Sequence, residues 1–340
     1  MVREMATLSS CICSGMREVV GRMSDLIFDA DSADKAARTL EFLESFRSHP
    51  DANGKVCLHG GTALNLFVLT PERLSLDADI NYIGECAADE MAPVRDALEN
   101  AVMAVARELG YTPRTGRGGH AGRTFKLMYV SSITGSTDFI KADLDYINRV
   151  PILPPVMAKS KLESPVVKFP INAPAEIAAG KLKAICERVV PRDLYDIGRI
   201  AKTQSDWSTG NDASDHALMI FYFALSSSFP KPQDILSRFD GRERDIEMIL
   251  WPVLPVDERP TLDEMRSAAL PFLSWATAPQ NEQEAEFLAS LSTGDYRPEL
   301  LFDSNSDALR NAIASPAMKW KLQNLQVGIE KGLVEPIRFD

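Results

Sequence analysis

Apolar positions recur at helical spacing early in the chain. Val19, Val20, Met23, Ile27 and Phe28 are followed by Leu40, Leu43 and Phe46, which predicts helix over 17–48. His49, Pro50 and the Asn53-Gly54 pair end it. A short apolar run, Val56-Cys57-Leu58, then leads through His59-Gly60-Gly61-Thr62 into an apolar stretch over 63–69, the pattern of strand, glycine turn and helix. Positions 76–83 alternate with period two, as a half-buried strand does. Leu98, Val102, Val105 and Leu109 mark one side of a helix over 94–109. Segments 122–130 and 137–147 read as paired strands, with loops over 115–119 and 131–136.

Prolines at 151, 154, 155, 165, 170 and 174 predict an extended or looped stretch, because proline fixes φ and biases its predecessor away from helix. Beyond Pro174 the pattern turns helical, over 176–189, 192–202 and 213–227, and stays mostly helical with breaks near 252–260 and 292–298. The elements to about 147 make a mixed α/β unit without the regular strand–helix repeat of a barrel or an open parallel sheet. The expected organisation is a core over 1–150 and a mainly α-helical domain over 151–340. There is no internal repeat, and the last third of the chain shows no readable chemistry.

Charge is segregated along this pattern. The 340 residues carry 37 Lys and Arg against 48 Asp and Glu, a net charge of −11, which argues against a general nucleic-acid binder. Residues 107–202 reverse the sign, with 16 basic against 9 acidic side chains. Such a stretch provides a local basic surface on an acidic protein. No apolar run approaches 18 residues, so no membrane span is expected, and a cytoplasmic location follows as the default. The five cysteines are thinly spread. Cys57 and Cys186 read as core residues, and Cys11-x-Cys13 has no nearby histidine or second pair to make a metal site.

The sharpest chemical feature is Asp77-x-Asp79 on the alternating strand. Residues i and i+2 of a strand point to one face, and two carboxylates there repel unless a cation lies between them. Magnesium takes carboxylate oxygens together with substrate phosphates. Asp143 and Asp145 repeat the spacing on a later strand, and a neighbouring strand would bring a third carboxylate to the same ions. Gly60-Gly61-Thr62 supplies a turn in which backbone amides approach an anion, although it is not a GxxxxGK[ST] phosphate loop. Lys181, Lys183, Arg188, Arg192, Asp193, Asp196 and Arg199 cluster on the helices after Pro174. Asp196 lies four residues after Arg192, a helix-compatible ion pair, and Lys181 is the candidate to neutralise a triphosphate. The four histidines have no zinc-ligand spacing, and no GxSxG elbow is present.

Taken in order, these motifs resemble a known family. His59-Gly60-Gly61-Thr62-Ala63-Leu64, Arg73-Leu74-Ser75-Leu76-Asp77-Ala78-Asp79-Ile80, Lys141-Ala142-Asp143 and Lys181-Leu182-Lys183-Ala184, leading to Pro191-Arg192-Asp193-Leu194-Tyr195-Asp196, are similar to the successive motifs of the AbiEii/AbiGii toxins of the DNA polymerase beta-like nucleotidyltransferase superfamily. The resemblance runs over about residues 55–200. It implies a nucleotidyltransferase core followed by a helical domain that completes the active site. Asp77, Asp79 and Asp143 would bind Mg²⁺ or Mn²⁺, and these three with Lys181 and Asp196 would be catalytic. Gly60, Gly61, Thr62, Ser75, Lys141, Arg192 and Asp193 would form the nucleotide site. The implied donor is an NTP, the implied acceptor an RNA such as the tRNA 3′ end, and the implied partner a separate antitoxin protein. A protein hydroxyl as acceptor, or a nucleotide sensor without turnover, are the alternatives.

Overall fold

The computed structural model describes residues 22–23, 26–84, 86 and 89–330. Cys11, Cys13 and the first part of the helix expected over 17–48 lie outside the described residues. The next residues depart from that expectation. Arg22–Met23 and Leu26–Ile27 pair as a small antiparallel ladder, and Phe28 bridges to Pro255. Helix α1 starts only at Ala30 and runs Ala30–Ser48. Asp29 fixes that start, its carboxylate accepting from the Ser32 backbone N–H at 2.9 Å as an N-cap does.

Seven strands form one sheet: β1 (Val56–Leu58), β2 (Asp77–Tyr82), β3 (Thr112–Gly118), β4 (Gly122–Val130), β5 (Thr137–Asp145), β6 (Val156–Lys159) and β7 (Lys168–Ile171), in the spatial order β3-β4-β5-β2-β1-β7-β6. β2 runs parallel to β5 and β1 parallel to β7, while the other neighbours are antiparallel, so the sheet is mixed as expected. The loop expected over 115–119 is instead part of the edge strand β3, antiparallel to β4 with a register irregularity between Thr115 and Gly118. An edge tolerates the glycines that made this segment read as a loop. β6 and β7 belong to the same sheet, so the strand-forming part of the chain continues beyond 150 to Ile171.

The period-two alternation gives the sheet two unlike faces. Ala78, Ile80 and Tyr82 of β2, Ile140, Ala142 and Leu144 of β5, and Phe125 and Leu127 of β4 are buried on one side. They join the core with Ala36, Leu40, Leu43 and Phe46 of α1 and with Leu98, Val102 and Val105 of α3 (Met91–Glu108). The opposite face is polar and carries the aspartates. A short helix, α2 (Gly60–Ala63), passes directly into a π-helical turn, Leu64–Val68, between β1 and β2.

Beyond β7 the described chain is helical, as expected. Proline opens both α4 (Pro174–Glu187) and α5 (Pro191–Lys202), where its missing N–H costs no helical bond. α4 packs on α5 and on α6 (Asp212–Leu225), and α7 (Leu262–Ala276) lies along α5. A Cβ at Gly198 would meet the Ala268 Cβ at 3.0 Å, so glycine sets how closely α5 and α7 approach. Further along the chain lie α8 (Glu282–Ser292) and α9 (Pro316–Glu330). No helix among the described residues is long and apolar enough to cross a membrane.

Candidate active site

The parallel ladder between β2 and β5 aligns the aspartates. Asp77 is in register with Lys141, and Asp79 with Asp143. Paired positions of adjacent strands share a face, so Asp77, Asp79, Asp143 and Lys141 all project from the polar side. The Lys141 ammonium hydrogen-bonds one oxygen of Asp143. The other, Oδ1, is buried with no hydrogen-bond partner. Burial first, and the neighbouring Asp79 carboxylate second, push the Asp77 carboxyl above its ordinary pKa, against the opposing pull of Arg192 and Lys141.

The glycine turn lies against this face. Gly60 has φ +70°, and a Cβ there would come 2.5 Å from Asp79 Oδ2. The His59 backbone N–H donates to the Asp79 carbonyl at 3.0 Å, fixing the turn to β2. Thr62 is fully buried, and its hydroxyl bonds the Asp77 carbonyl and, at 2.9 Å, the Ser75 hydroxyl. Thr62 and Ser75 therefore hold the backbone that presents the aspartates.

A buried ionic cluster closes the other side. Asp196, wholly buried, accepts a two-pronged bond from Arg73, Nε to Oδ1 and Nη2 to Oδ2, both at 2.7 Å. Lys181 Nζ is 2.7 Å from Asp196 and 3.0 Å from Asp193. Arg188 bonds both oxygens of Asp193, at 2.7 and 3.1 Å. Asn65 donates to Asp196 at 3.1 Å and to the Gly61 carbonyl at 3.0 Å, joining the cluster to the turn. Burial opposes ionisation of Asp196, but Arg73 and Lys181 overcome it and hold the carboxyl well below the usual range. Lys181 and Arg188 do the same for Asp193 against its burial. Three cations meet two carboxylates, leaving one positive charge over.

Between face and cluster lies a cavity of about 260 Å³, lined by His59, Gly60, Gly61, Asp79, Lys181 and Arg188 among others. Arg188, with 59% of its side chain exposed, is the cation of the cluster that solvent reaches. The far wall carries Glu176 at the start of α4. It accepts from the Ile152 and Leu153 N–H groups at 2.8 and 2.9 Å and from the Tyr222 hydroxyl at 2.6 Å. Burial still pushes its pKa up.

Compared with known families, residues 41–277 match the one described as "Nucleotidyl transferase AbiEii toxin, Type IV TA system". The chain belongs to this family. It is a nucleotidyltransferase of the toxin–antitoxin and phage-defence type, which implies an NTP substrate and an antitoxin partner. Similar solved structures include MenT4, a nucleotidyltransferase toxin of Mycobacterium tuberculosis, at 15% identity and a TM-score of 0.47, covering 94% of this chain and 98% of that one. JHP933 of Helicobacter pylori is 13% identical with a TM-score of 0.47, covering 74% and 93%. No curated protein matches the chain.

For this AbiEii-family enzyme the structure brings together most residues that the sequence nominates. Asp77, Asp79, Asp143, Lys141, Gly60 and Gly61 surround one face, and Lys181, Asp193 and Asp196 form one cluster beside it. The pairing expected between Arg192 and Asp196 is replaced: Asp196 is enclosed by Arg73 and Lys181, and Arg192 bears electrostatically on Asp77. Arg73, Arg188, Asn65 and Glu176 had no role assigned from sequence. Arg73 opens the motif that carries Asp77 and Asp79, but beside Glu72 and Ser75 it reads as an ordinary polar position, and nothing local marks it as buried.

The family implies metal-dependent catalysis. Among the described residues no three His, Cys, Asp or Glu side chains are gathered closely enough to hold an ion. The donors nevertheless suit one. Asp143 Oδ1 is buried and unpartnered, and Asp77 and Asp79 repel across one face. Hard oxygen donors of this kind match Mg²⁺ or Mn²⁺.

Proposed function

We propose that the polar face of β2 and β5 is the catalytic centre and that the enzyme moves a nucleoside monophosphate from an NTP to an RNA hydroxyl, at the tRNA 3′ end. The observation that supports this reading best is the in-register pairing of Asp79 with Asp143, which aligns three carboxylates beside a glycine turn and a cationic cluster. Asp77, Asp79 and Asp143 would hold the divalent ion. When bound, that ion would neutralise their charge and polarise the α-phosphate.

The remaining work falls to the chain's own side chains. The Gly60-Gly61 turn lets the triphosphate come close to the backbone, since side chains there would fill the space next to Asp79 and Ser75. Arg188 and Lys181 on the cavity wall face the phosphates, and the surplus positive charge of the cluster balances the leaving group. Asp193 and Asp196 act as positioning residues, holding Lys181 in one place. The acceptor oxygen bonds to the α-phosphorus, the bond from that phosphorus to the bridging oxygen breaks, and pyrophosphate leaves. The hydroxyl proton passes to a carboxylate of the same face.

Incubation with each α-labelled NTP, Mg²⁺ and total RNA tests the proposal. RNase-sensitive label on an RNA of tRNA size is expected. RNase-resistant label on protein would move the acceptor to a protein hydroxyl. No labelled acceptor, despite demonstrated NTP binding, would overturn the RNA reading.

A further inference from the structure

A second cavity, of about 490 Å³, lies next to the first. The two share Asn148, Lys183 and Glu187, so they are contiguous around the last turns of α4. The volume lies within the roughly 300–1,000 Å³ of sites for organic ligands. Its surface is aromatic and aliphatic, with Phe229 after α6, Leu225 of α6, Leu291 of α8 and Trp320 of α9. Trp320 is 55% exposed, whereas Trp207 is buried and Trp251 and Trp275 are half-buried. An indole left open at the mouth of a cavity is an available flat π-surface.

Cations stand beside this surface. Lys321 donates to the Ser226 carbonyl and lies 5.0 Å from the centre of the Phe229 ring. Burial holds its pKa down to about 8, so a nearby anion would favour its charged form. Lys183, half-buried, pairs with Glu187 at 2.9 Å, which neutralises the one carboxylate of the wall. Aromatic planes flanked by lysines are the combination that binds single-stranded nucleic acid, with bases stacking and ammonium groups following the backbone.

We propose that this cavity is a nucleobase subsite for the single-stranded end of the acceptor RNA, with Trp320 as the stacking platform and Lys183 and Lys321 beside the adjoining phosphates. The inference rests on the reading of RNA as acceptor. A strand whose terminal hydroxyl reaches the carboxylate face must leave it along a surface continuous with that face, and the shared wall is such a path. The subsite would select an unpaired end, because a base held in a duplex cannot present its face to the indole.

Two measurements test it. Titration of the full-length enzyme with a single-stranded hexaribonucleotide should quench a tryptophan emission that is absent from Trp320→Ala. In steady-state transfer, Trp320→Ala should raise the acceptor KM roughly 5- to 150-fold, the effect of losing one stacked base, with the NTP KM unchanged and Trp320→Phe close to wild type. Circular dichroism checks that the variants are folded. An increase in NTP KM instead would give the cavity to the donor base and overturn the proposal. No quenching by the oligonucleotide, with transfer to RNA intact, would overturn the subsite alone and leave the cavity to an apolar protein segment. Quenching without any RNA labelling would uphold the subsite and reject the transfer reading.

Discussion

Replacing Asp196 by asparagine is the most demanding test of the ionic cluster. The change keeps the shape of the side chain and removes its charge. Arg73, fully buried, would lose its anionic partner and keep at most one bond, to the amide oxygen, and Lys181 would keep only Asp193 as a carboxylate, at 3.0 Å. Breaking a buried pair in this way leaves an uncompensated charge and costs about 3–5 kcal/mol. At about 2.1 cal/mol/K per residue the unfolding entropy of 340 residues is about 0.7 kcal/mol/K, so the melting temperature should fall by about 4–7 °C. Thermal unfolding by circular dichroism measures it, with Lys183→Ala as the control, because that half-exposed pair contributes only about 0–1 kcal/mol. Since the Asp196 carboxyl is held below its ordinary value, its contribution is full above about pH 5 and is lost on acidification below the unfolded value near 3.9. The gap between wild type and Asp196→Asn should therefore narrow as the pH falls toward 3. A variant that melts within about 2 °C of wild type at pH 7 would refute the account. Arg73→Met combined with Asp196→Leu should recover part of the loss, as apolar replacement of a buried pair does.

Three further outcomes are expected. Asp77→Asn should lower transfer by about 10²–10³-fold or more, read with labelled NTP. An acid whose pKa is raised on folding destabilises the fold once ionised, so the same variant should melt at the wild-type temperature or higher at pH 7. Gly60→Ala, at φ +70° and against Asp79, should cost about 1–2 kcal/mol in urea unfolding and reduce transfer further by displacing Asp79. Tyr222→Phe removes the 2.6 Å bond to the buried Glu176 and should destabilise by about 1–3 kcal/mol, and an unchanged urea midpoint would show that the bond contributes nothing.

The proposed catalytic face was legible because two strands repeat an aspartate spacing and period-two alternation states which side each residue takes. Local pattern alone does not state the register that sets Asp79 opposite Asp143, because register depends on how β2 and β5 pair along their length and pack on α1. The Asp196 partner was missed for a related reason. Helical spacing favours local partners such as Arg192, whereas burial demands the strongest available ligand, and Arg73 arrives from 123 residues away. Segment 115–119 reads as a loop because glycine speaks against strands in general, but an edge strand such as β3 tolerates it. Phe28 reads as a helical position by spacing, yet Asp29 caps the helix just after it, so local hydrogen bonding outweighed periodicity. The last third offered no chemistry on its own, because Trp320 and Lys321 gain meaning only once α9 is seen beside α4.

The 123-residue span between Arg73 and Asp196 also bears on when the enzyme becomes active during its synthesis. Chains grow at about 5–20 residues per second, so roughly 6–25 s separate the two residues on the ribosome. Until Asp196 emerges, Arg73 has no anion to receive it and Lys181 has no fixed position. On the proposed reading, a nascent chain thus carries Asp77, Asp79 and Asp143 well before the cluster beside them is complete. On that reading activity arrives late, as one step with the docking of α5, and an antitoxin that met the chain during that interval would meet it before it could act.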